Sequence, residues 1–117
     1  MNDKAIDIMV DSVRWRVFDR QGNQVYLTQE RWEHIIEADG HPEMEDYEEE
    51  LKETIRQGQR RQIPIQPQKY EYSKAYTHLV DNNTHIVALV LFRLRENERG
   101  RPVANNYIVT AFQKEIK

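Results

Sequence analysis

Residues 84–95, THIVALVLFRLR, constrain the fold more than any other part of the sequence. The middle of this stretch, residues 86–92, is an uninterrupted apolar run, and it is much shorter than the ~20 residues that a membrane-spanning helix needs. A short apolar run of this kind is typical of a buried strand. The sequence therefore predicts that residues 84–95 form the central strand of a sheet.

Further strands are predicted on both sides of this run. Residues 13–18, VRWRVF, largely alternate in polarity, and the turn-rich DRQGNQ joins them to the β-prone VYLT, so residues 13–28 are predicted to form a β-hairpin. Later strands are predicted over residues 61–114. They comprise the proline-containing RQIPIQPQ as an extended connection or edge strand, then YEYSKAYTHLV, the central run and NYIVTAFQK.

Residues 29–58 lie between the hairpin and the later strands and are predicted to form two helices. The first is expected from about residue 29 to residue 38, with Thr28 as its N-cap and Gly40 as a left-handed stop. The second is expected to begin at Pro42 and to end at Gly58. Apolar residues recur at helical spacing in both helices: Trp32, Ile35 and Ile36 in the first, and Met44, Tyr47, Leu51 and Ile55 in the second.

Length and composition fit a single domain. A chain of 117 residues is long enough for one hydrophobic core and too short for two. The absence of cysteine excludes disulfides, thiolate metal sites and thiol nucleophiles. The N-terminal MNDKAIDIMVDSV is acidic and lacks the regions of a signal peptide, so we expect a cytoplasmic protein without a membrane segment.

Charge is distributed unevenly along the chain. Residues 1–54 carry 15 acidic and 6 basic side chains, a net charge of −9, whereas residues 55–117 carry 5 acidic and 11 basic side chains, a net charge of +6. The basic half could face phosphates, or it could pack against the acidic half of the same fold.

Two histidines stand out near the predicted helices. His34 lies roughly opposite the centre of the apolar stripe of the first helix, so it is not a core residue of that helix. His41 lies near the N-cap of the second helix, where a histidine can do chemistry or simply cap the helix. Because the chain breaks at residues 40–42, the two do not share one helical face, and metal binding by His34, His41 and Glu43 remains only an alternative.

The motif inventory favours chemistry without metal or nucleotide. The sequence contains no P-loop, no dinucleotide-binding glycine motif and no HExxH zinc motif. Cleavage of RNA through its own 2′-hydroxyl needs a base, an acid and cations or hydrogen-bond donors on the phosphate. Histidine, arginine and lysine can supply these groups.

Several motifs occur in order over residues 26–113: YLTQERWEHI, HPEMEDY, LKETI, YEYS, HIVALVLF and YIVTAF. In this order they resemble the barnase, EndoU, colicin and RelE superfamily of nuclease toxins, in particular its phage- and polymorphic-toxin-associated branch. The resemblance implies one or two N-terminal helices on a four-stranded antiparallel sheet and a metal-independent ribonuclease activity. Together with the residue patterns it predicts an α+β fold, with two N-terminal helices packed on a four-stranded or larger antiparallel sheet that a β-hairpin precedes.

The resemblance also implies the site residues. His34, His41 and Thr110 match motifs of the superfamily and are predicted to be catalytic, with Thr110 expected to share its strand face with Ile108 and Phe112. Substrate binding is predicted for Tyr72 and Lys74, in a row that Tyr76 and His78 continue, and for Arg93. For Tyr72 and its neighbours the alternative is an ordinary exposed sheet face, and for Thr110 it is a simple β-former.

We therefore expect a toxin-like endoribonuclease that acts on RNA without a cofactor and is held in check by an antitoxin or immunity protein. The alternative is a non-catalytic protein-binding or RNA-binding module on the same fold. In that case the N-terminal hairpin, residues 13–28, would be its contact edge.

Overall fold

The computed structural model describes residues 12–117 as an α+β fold with one six-stranded sheet. Residues 1–11 lie outside the described residues. They include most of the acidic N-terminal segment that, by prediction, is not a signal peptide. The helices are α1 (Gln29–Ile36), a 3-10 helix (Pro42–Tyr47) and α2 (Glu48–Gln57). The strands are β1 (Val13–Phe18), β2 (Gln24–Thr28), β3 (Gln59–Ile63), β4 (Gln66–Ala75), β5 (His85–Glu96) and β6 (Pro102–Lys114).

The order of the strands in the sheet is β1-β2-β6-β5-β4-β3. Neighbouring strands are antiparallel except β2 and β6, which run parallel where Val25 and Tyr26 pair with Asn106 and Tyr107. The prediction of a purely antiparallel sheet is wrong at this one pair. The predicted N-terminal hairpin is present as β1 and β2, and it forms part of the sheet. The helices and the strands β3, β4 and β5 lie between β2 and β6 in the chain. This long connection allows β6 to run parallel to β2 beside it.

The central strand is confirmed. β5 lies between β4 and β6, and its residues Ile86, Ala88 and Val90 are buried. The proline-containing residues 61–68, predicted to be an extended connection or an edge strand, do not form one element. Residues 61–63 end the edge strand β3, residues 64–65 form a turn, and residues 66–68 begin β4. No helix among residues 12–117 has both the length and the apolar character required to cross a membrane.

The first helix begins at Gln29, as the sequence predicts. The second predicted helix, expected from Pro42 to Gly58, is instead divided into the 3-10 helix at residues 42–47 and α2, which begins at Glu48. The Thr28 side chain accepts a hydrogen bond from the Arg31 amide at 3.0 Å, so it caps α1 as expected. α1 ends at Ile36, two residues earlier than predicted. Gly40 is not left-handed, contrary to our expectation. Its α carbon instead approaches the preceding helix so closely that an added Cβ would lie 2.6 Å from the His34 carbonyl oxygen.

All helices pack on one side of the sheet, which we call the helix side. The buried core there draws residues from every layer. Its members include Val25, Leu27, Trp32, Ile35, Met44, Leu51, Ile55, Tyr72, Ile86, Ala88, Val90, Ile108 and Ala111. The predicted apolar stripes of both helices are thus the core faces, with Ile36 and Tyr47 only partly buried at their margins.

The sheet curls around this core. β1 and β4 are separated by three strands, and strands spaced ~4.8 Å apart would place them roughly 19 Å apart in a flat sheet. Nevertheless the Tyr72 hydroxyl on β4 donates a hydrogen bond of 2.6 Å to the carboxylate of Asp19, directly after β1. The helix side is therefore concave.

A charged cluster joins β1 to α2. The register of β1 shifts between Val13 and Trp15, and both Arg14 and Trp15 reach Glu48 at the start of α2. Trp15 Nε1 donates at 2.8 Å and Arg14 donates through two guanidinium nitrogens. Mainly through the Arg14 hydrogen bonds, the pKa of Glu48 is held below its usual value, although burial opposes this.

Replacing Glu48 with glutamine is expected to lower the free energy of unfolding by about 1–3 kcal/mol, because hydrogen bonds to a charged, partly buried group are lost. Denaturant unfolding monitored by tryptophan fluorescence measures this directly. The neighbouring Glu49 provides the matched control, because its side chain is 78% exposed and, among residues 12–117, pairs with Lys52 alone. For Glu49→Gln we expect less than about 1 kcal/mol, and equal losses in the two variants would contradict the assigned role of Glu48.

Candidate functional site

The sheet has a second face that carries no helix within residues 12–117; we call it the open face. Side chains alternate between the two sides of a strand, and directly paired residues point to the same side. Since Ile86, Ala88 and Val90 are on the helix side, the residues between them and their partners define the open face. It includes Arg16, Tyr26, Arg61, Lys69, Glu71, Ser73, His85, Val87, Leu89, Leu91, Arg93, Arg95, Asn105, Tyr107, Thr110, Phe112 and Lys114.

The open face is strongly cationic. Its carboxylate, Glu71, is paired with Arg61 at 2.9 Å. Within the described part of the chain, the remaining cations of this face make no ion pair; they are Arg16, Lys69, Arg93, Arg95 and Lys114. Of the twelve acidic residues of the first half that the structure describes, seven lie on α2 and the 3-10 helix, which cover the opposite side of the sheet. The open face therefore differs in charge from the helices on the other side.

Thr110 lies on the open face. Leu89 pairs with Thr110 and Val90 pairs with Ile108, so Val109 is an extra residue in β6. This bulge reverses the alternation, and the expectation that Thr110 shares a face with Ile108 is wrong, because Ile108 is buried on the helix side. Phe112, as expected, remains on the same face as Thr110.

His41 reaches the same end of β6. Its imidazole contacts the ring of Phe112, with ring centroids 5.4 Å apart, and its Nδ1 lies 3.7 Å from a Glu43 carboxylate oxygen. β2 pairs with β6 only as far as Tyr107, so β2 does not cover the edge of β6 beyond that residue. The 3-10 helix packs against β6, and His41 at its start thereby reaches Phe112. The His41 side chain makes no capping hydrogen bond, so its imidazole is not occupied by a structural role at the helix start.

His34 stands on the last turn of α1. Its side chain is 55% exposed, and its Nδ1 lies 3.4 Å from Glu37, which agrees with the prediction that it lies off the apolar stripe. The close approach at Gly40 folds the chain back onto this turn, and the amide of His41 donates to the Ile35 carbonyl at 2.5 Å. His34 and His41 therefore belong to one junction, although neither shares a helical face with the other.

The residues predicted to bind substrate separate onto the two sides of the sheet. Arg93 is exposed on the open face opposite Asn105. Tyr72 is fully buried on the helix side, where it pairs with Ala88 and binds Asp19, so its ring is not presented to a ligand. Lys74 also lies on the helix side, with its Nζ 4.4 Å from the centroid of the Tyr76 ring.

The predicted row of Tyr72, Lys74, Tyr76 and His78 is interrupted because β4 ends at Ala75. Tyr76 and His78 follow in a loop that is bound to α2. The Tyr76 hydroxyl donates to the Glu50 carbonyl at 2.8 Å, and His78 Nε2 lies 2.9 Å from the Glu50 carboxylate. These contacts are structural links between the loop and α2.

A polar cleft on the open face was not predicted from the sequence. It has a volume of about 150 Å³, and Arg16, Tyr26, Arg95 and Asn105 contribute to its lining. The Tyr26 hydroxyl donates to Asn105 Oδ1 at 2.9 Å, and the rings of Tyr26 and Tyr107 lie 5.9 Å apart. Burial raises the pKa of Tyr26 despite the neighbouring Arg95 and Arg16 charges, so the hydroxyl stays protonated at neutral pH.

Among residues 12–117, no group of three or more histidine, aspartate and glutamate side chains is placed so that it could hold a metal ion. His41 and Glu43 form a pair at most. Comparison of the chain with protein-family models, with curated proteins and with solved structures finds no match.

Proposed function

We propose that this protein is a metal-independent endoribonuclease that holds single-stranded RNA on the open face of its sheet. The observation that carries the proposal is the row of unpaired cations beside aromatic rings on that face, with Thr110 and His41 at one end of it. Cations bind the phosphates of a strand, and exposed aromatic rings stack on its bases.

Two unpaired cations of the open face, Lys69 and Arg93, lie to one side of Thr110 and support the path of an RNA strand along the sheet. Lys69 pairs with Leu91, one alternate position along β5 from Leu89, which is the partner of Thr110. This spacing corresponds to roughly 7 Å along the strand. Arg93 lies one further alternate position along, so Lys69 and Arg93 form a cationic line that runs away from Thr110.

In the proposed reaction the 2′-oxygen of the RNA forms a bond to phosphorus and the bond from phosphorus to the 5′-oxygen breaks. A base takes the proton of the 2′-hydroxyl, and an acid gives a proton to the departing 5′-oxygen. We assign the two proton transfers to His41 and His34, whose backbones lie at the same junction after α1, without deciding which is the base. The Thr110 hydroxyl donates a hydrogen bond to the phosphate.

Incubating the purified protein with total RNA and with tRNA in EDTA tests the proposal. We expect cleavage by the wild type, products that carry a 2′,3′-cyclic phosphate, and slower cleavage by His34→Ala. A DNA strand of the same sequence lacks the 2′-hydroxyl and must remain intact. If wild type and His34→Ala are equally inactive on both RNAs, the proposed activity is wrong.

The unpaired cations also support a second candidate function, an RNA-binding module that does not cleave. That function predicts salt-sensitive RNA binding that survives His34→Ala and falls with Arg93→Ala.

A cleaving enzyme working in the cytoplasm would need an inhibitor, and the charge of the open face favours an acidic antitoxin or immunity protein as its partner. Growth arrest on overexpression, relieved by such a partner, separates the enzyme from the binding module.

A further inference from the structure

The cleft lined by Arg16, Tyr26, Arg95 and Asn105 lies away from Thr110, and the proposed reaction does not use it. It is assembled from four strands, with Arg16 from β1 and Arg95 from β5 on either side of the Tyr26–Asn105 pair. Both arginines are exposed, and neither has an ion-pair partner within the described residues. No acidic side chain contributes to the lining.

This lining selects an anion of small size. Two arginine side chains that line one cleft with no carboxylate among the lining favour phosphate, which arginine binds bidentately. The cleft of about 150 Å³ is well below the ~300 Å³ at which pockets begin to enclose a complete small molecule. It therefore fits one phosphate of a strand passing over it, while the adjoining rings of Tyr26 and Tyr107 offer faces to a base.

We propose that this cleft is a phosphate-binding subsite for RNA, remote from the cleaved bond. The inference rests on the proposed function for its choice of ligand. Asn105 and Thr110 lie five residues apart on the same strand, a span of roughly 16 Å at ~3.3 Å per residue. The subsite thus holds a strand that extends beyond the reaction site, and it contributes to substrate affinity more than to the chemical step.

The test uses the full-length double variant Arg16→Gln/Arg95→Gln. Binding is measured with a fluorescently labelled 2′-O-methyl oligonucleotide, which cannot be cleaved, over a range of salt concentrations. Loss of two phosphate contacts is expected to reduce the slope of log affinity against log salt by about 1.4, since each contact contributes about 0.7 for a single strand. On cleavable RNA we expect KM to rise about tenfold or more, with a smaller change in kcat.

The control is Lys52→Gln/Arg56→Gln on α2, which removes the same charge from the opposite side of the molecule. A slope equal to that of this control overturns the subsite, even if cleavage persists and the proposed function stands. Absence of oligonucleotide binding by the wild type also overturns it. If the wild type binds with the expected difference in slope but cleaves no RNA, the subsite stands and the proposed catalysis fails.

Discussion

Replacing His41 with alanine is expected to lower the rate of RNA cleavage by about 10²- to 10⁴-fold, the usual contribution of a positioned acid or base. The imidazole lies against Phe112, next to the strand position of Thr110, and is 42% exposed. Since the side chain makes no capping hydrogen bond, its removal leaves the backbone of the junction intact. Single-turnover cleavage of one labelled RNA measures the chemical step alone.

The control for this prediction is His78→Ala. His78 lies in the loop after β4, where its Nε2 is 2.9 Å from the Glu50 carboxylate on α2, so this variant removes a histidine away from the open face. We expect it to cleave at close to the wild-type rate. If His41→Ala instead keeps the wild-type rate and unfolds at lower denaturant, His41 serves only the helix junction, and the proton transfers must be reassigned.

Local patterns predicted the elements that local forces determine. The Thr28 cap, the β1–β2 hairpin and the buried run of β5 each depend on residues close in sequence, and each is present in the fold. The parallel pairing of β2 with β6 depends on contacts between distant segments. No periodicity within either strand records it.

The predicted site was only partly right for two physical reasons. Alternation placed Tyr72 and Lys74 on one face of β4 correctly, but both faces of that strand mix polar and apolar residues, so the pattern does not show which face the helices cover. In β6, the single extra residue Val109 moves Thr110 from the side of Ile108 to the open face. A bulge of this kind leaves no clear signal in the sequence.

The arginine cleft illustrates a third limit. Arg16 and Arg95 come from the two ends of the chain and meet only because β1, β2, β6 and β5 are neighbours in that order. The sequence does contain one signal, the alternating VRWRVF. The alternation predicts that Arg16 and its neighbour Val17, which is buried, point to different sides of β1. That signal predicts an exposed arginine but not its partner.

Asp19→Asn is expected to lower the free energy of unfolding by about 3–5 kcal/mol, the cost of disrupting a buried charged network. Asp19 is 6% exposed and accepts hydrogen bonds at both oxygens. Oδ1 accepts from the amides of Gln21 and Asn23 at 2.9 and 2.8 Å, and Oδ2 accepts from the Tyr72 hydroxyl and the Asn23 side chain at 2.6 and 3.0 Å. An amide nitrogen at the Oδ1 position would face two backbone N–H donors. At the Oδ2 position it would face the Asn23 side-chain amide, and the Tyr72 hydroxyl would lose its charged acceptor.

The same network predicts a dependence on pH. Burial alone would raise the pKa of Asp19, but the hydrogen bonds from Tyr72 and Asn23 outweigh it and hold the pKa below its usual value. A lowered carboxyl pKa contributes stability that is complete above the unfolded pKa of about 3.9 and is lost as pH falls through the folded value. Unfolding free energy should therefore decrease below about pH 4 in the wild type and decrease less steeply in Asp19→Asn.

Two controls separate the network from a general effect of charge. Asp39 is exposed, so Asp39→Asn removes the same charge with an expected change of less than about 0.5 kcal/mol. Tyr72→Phe keeps the buried ring and removes the hydroxyl that joins β4 to the end of β1. If the curled sheet depends on that hydrogen bond, the losses in Asp19→Asn and Tyr72→Phe will not add in the double variant. Additive losses would show that Asp19 stabilises only its own turn, and that the curvature of the sheet has another origin.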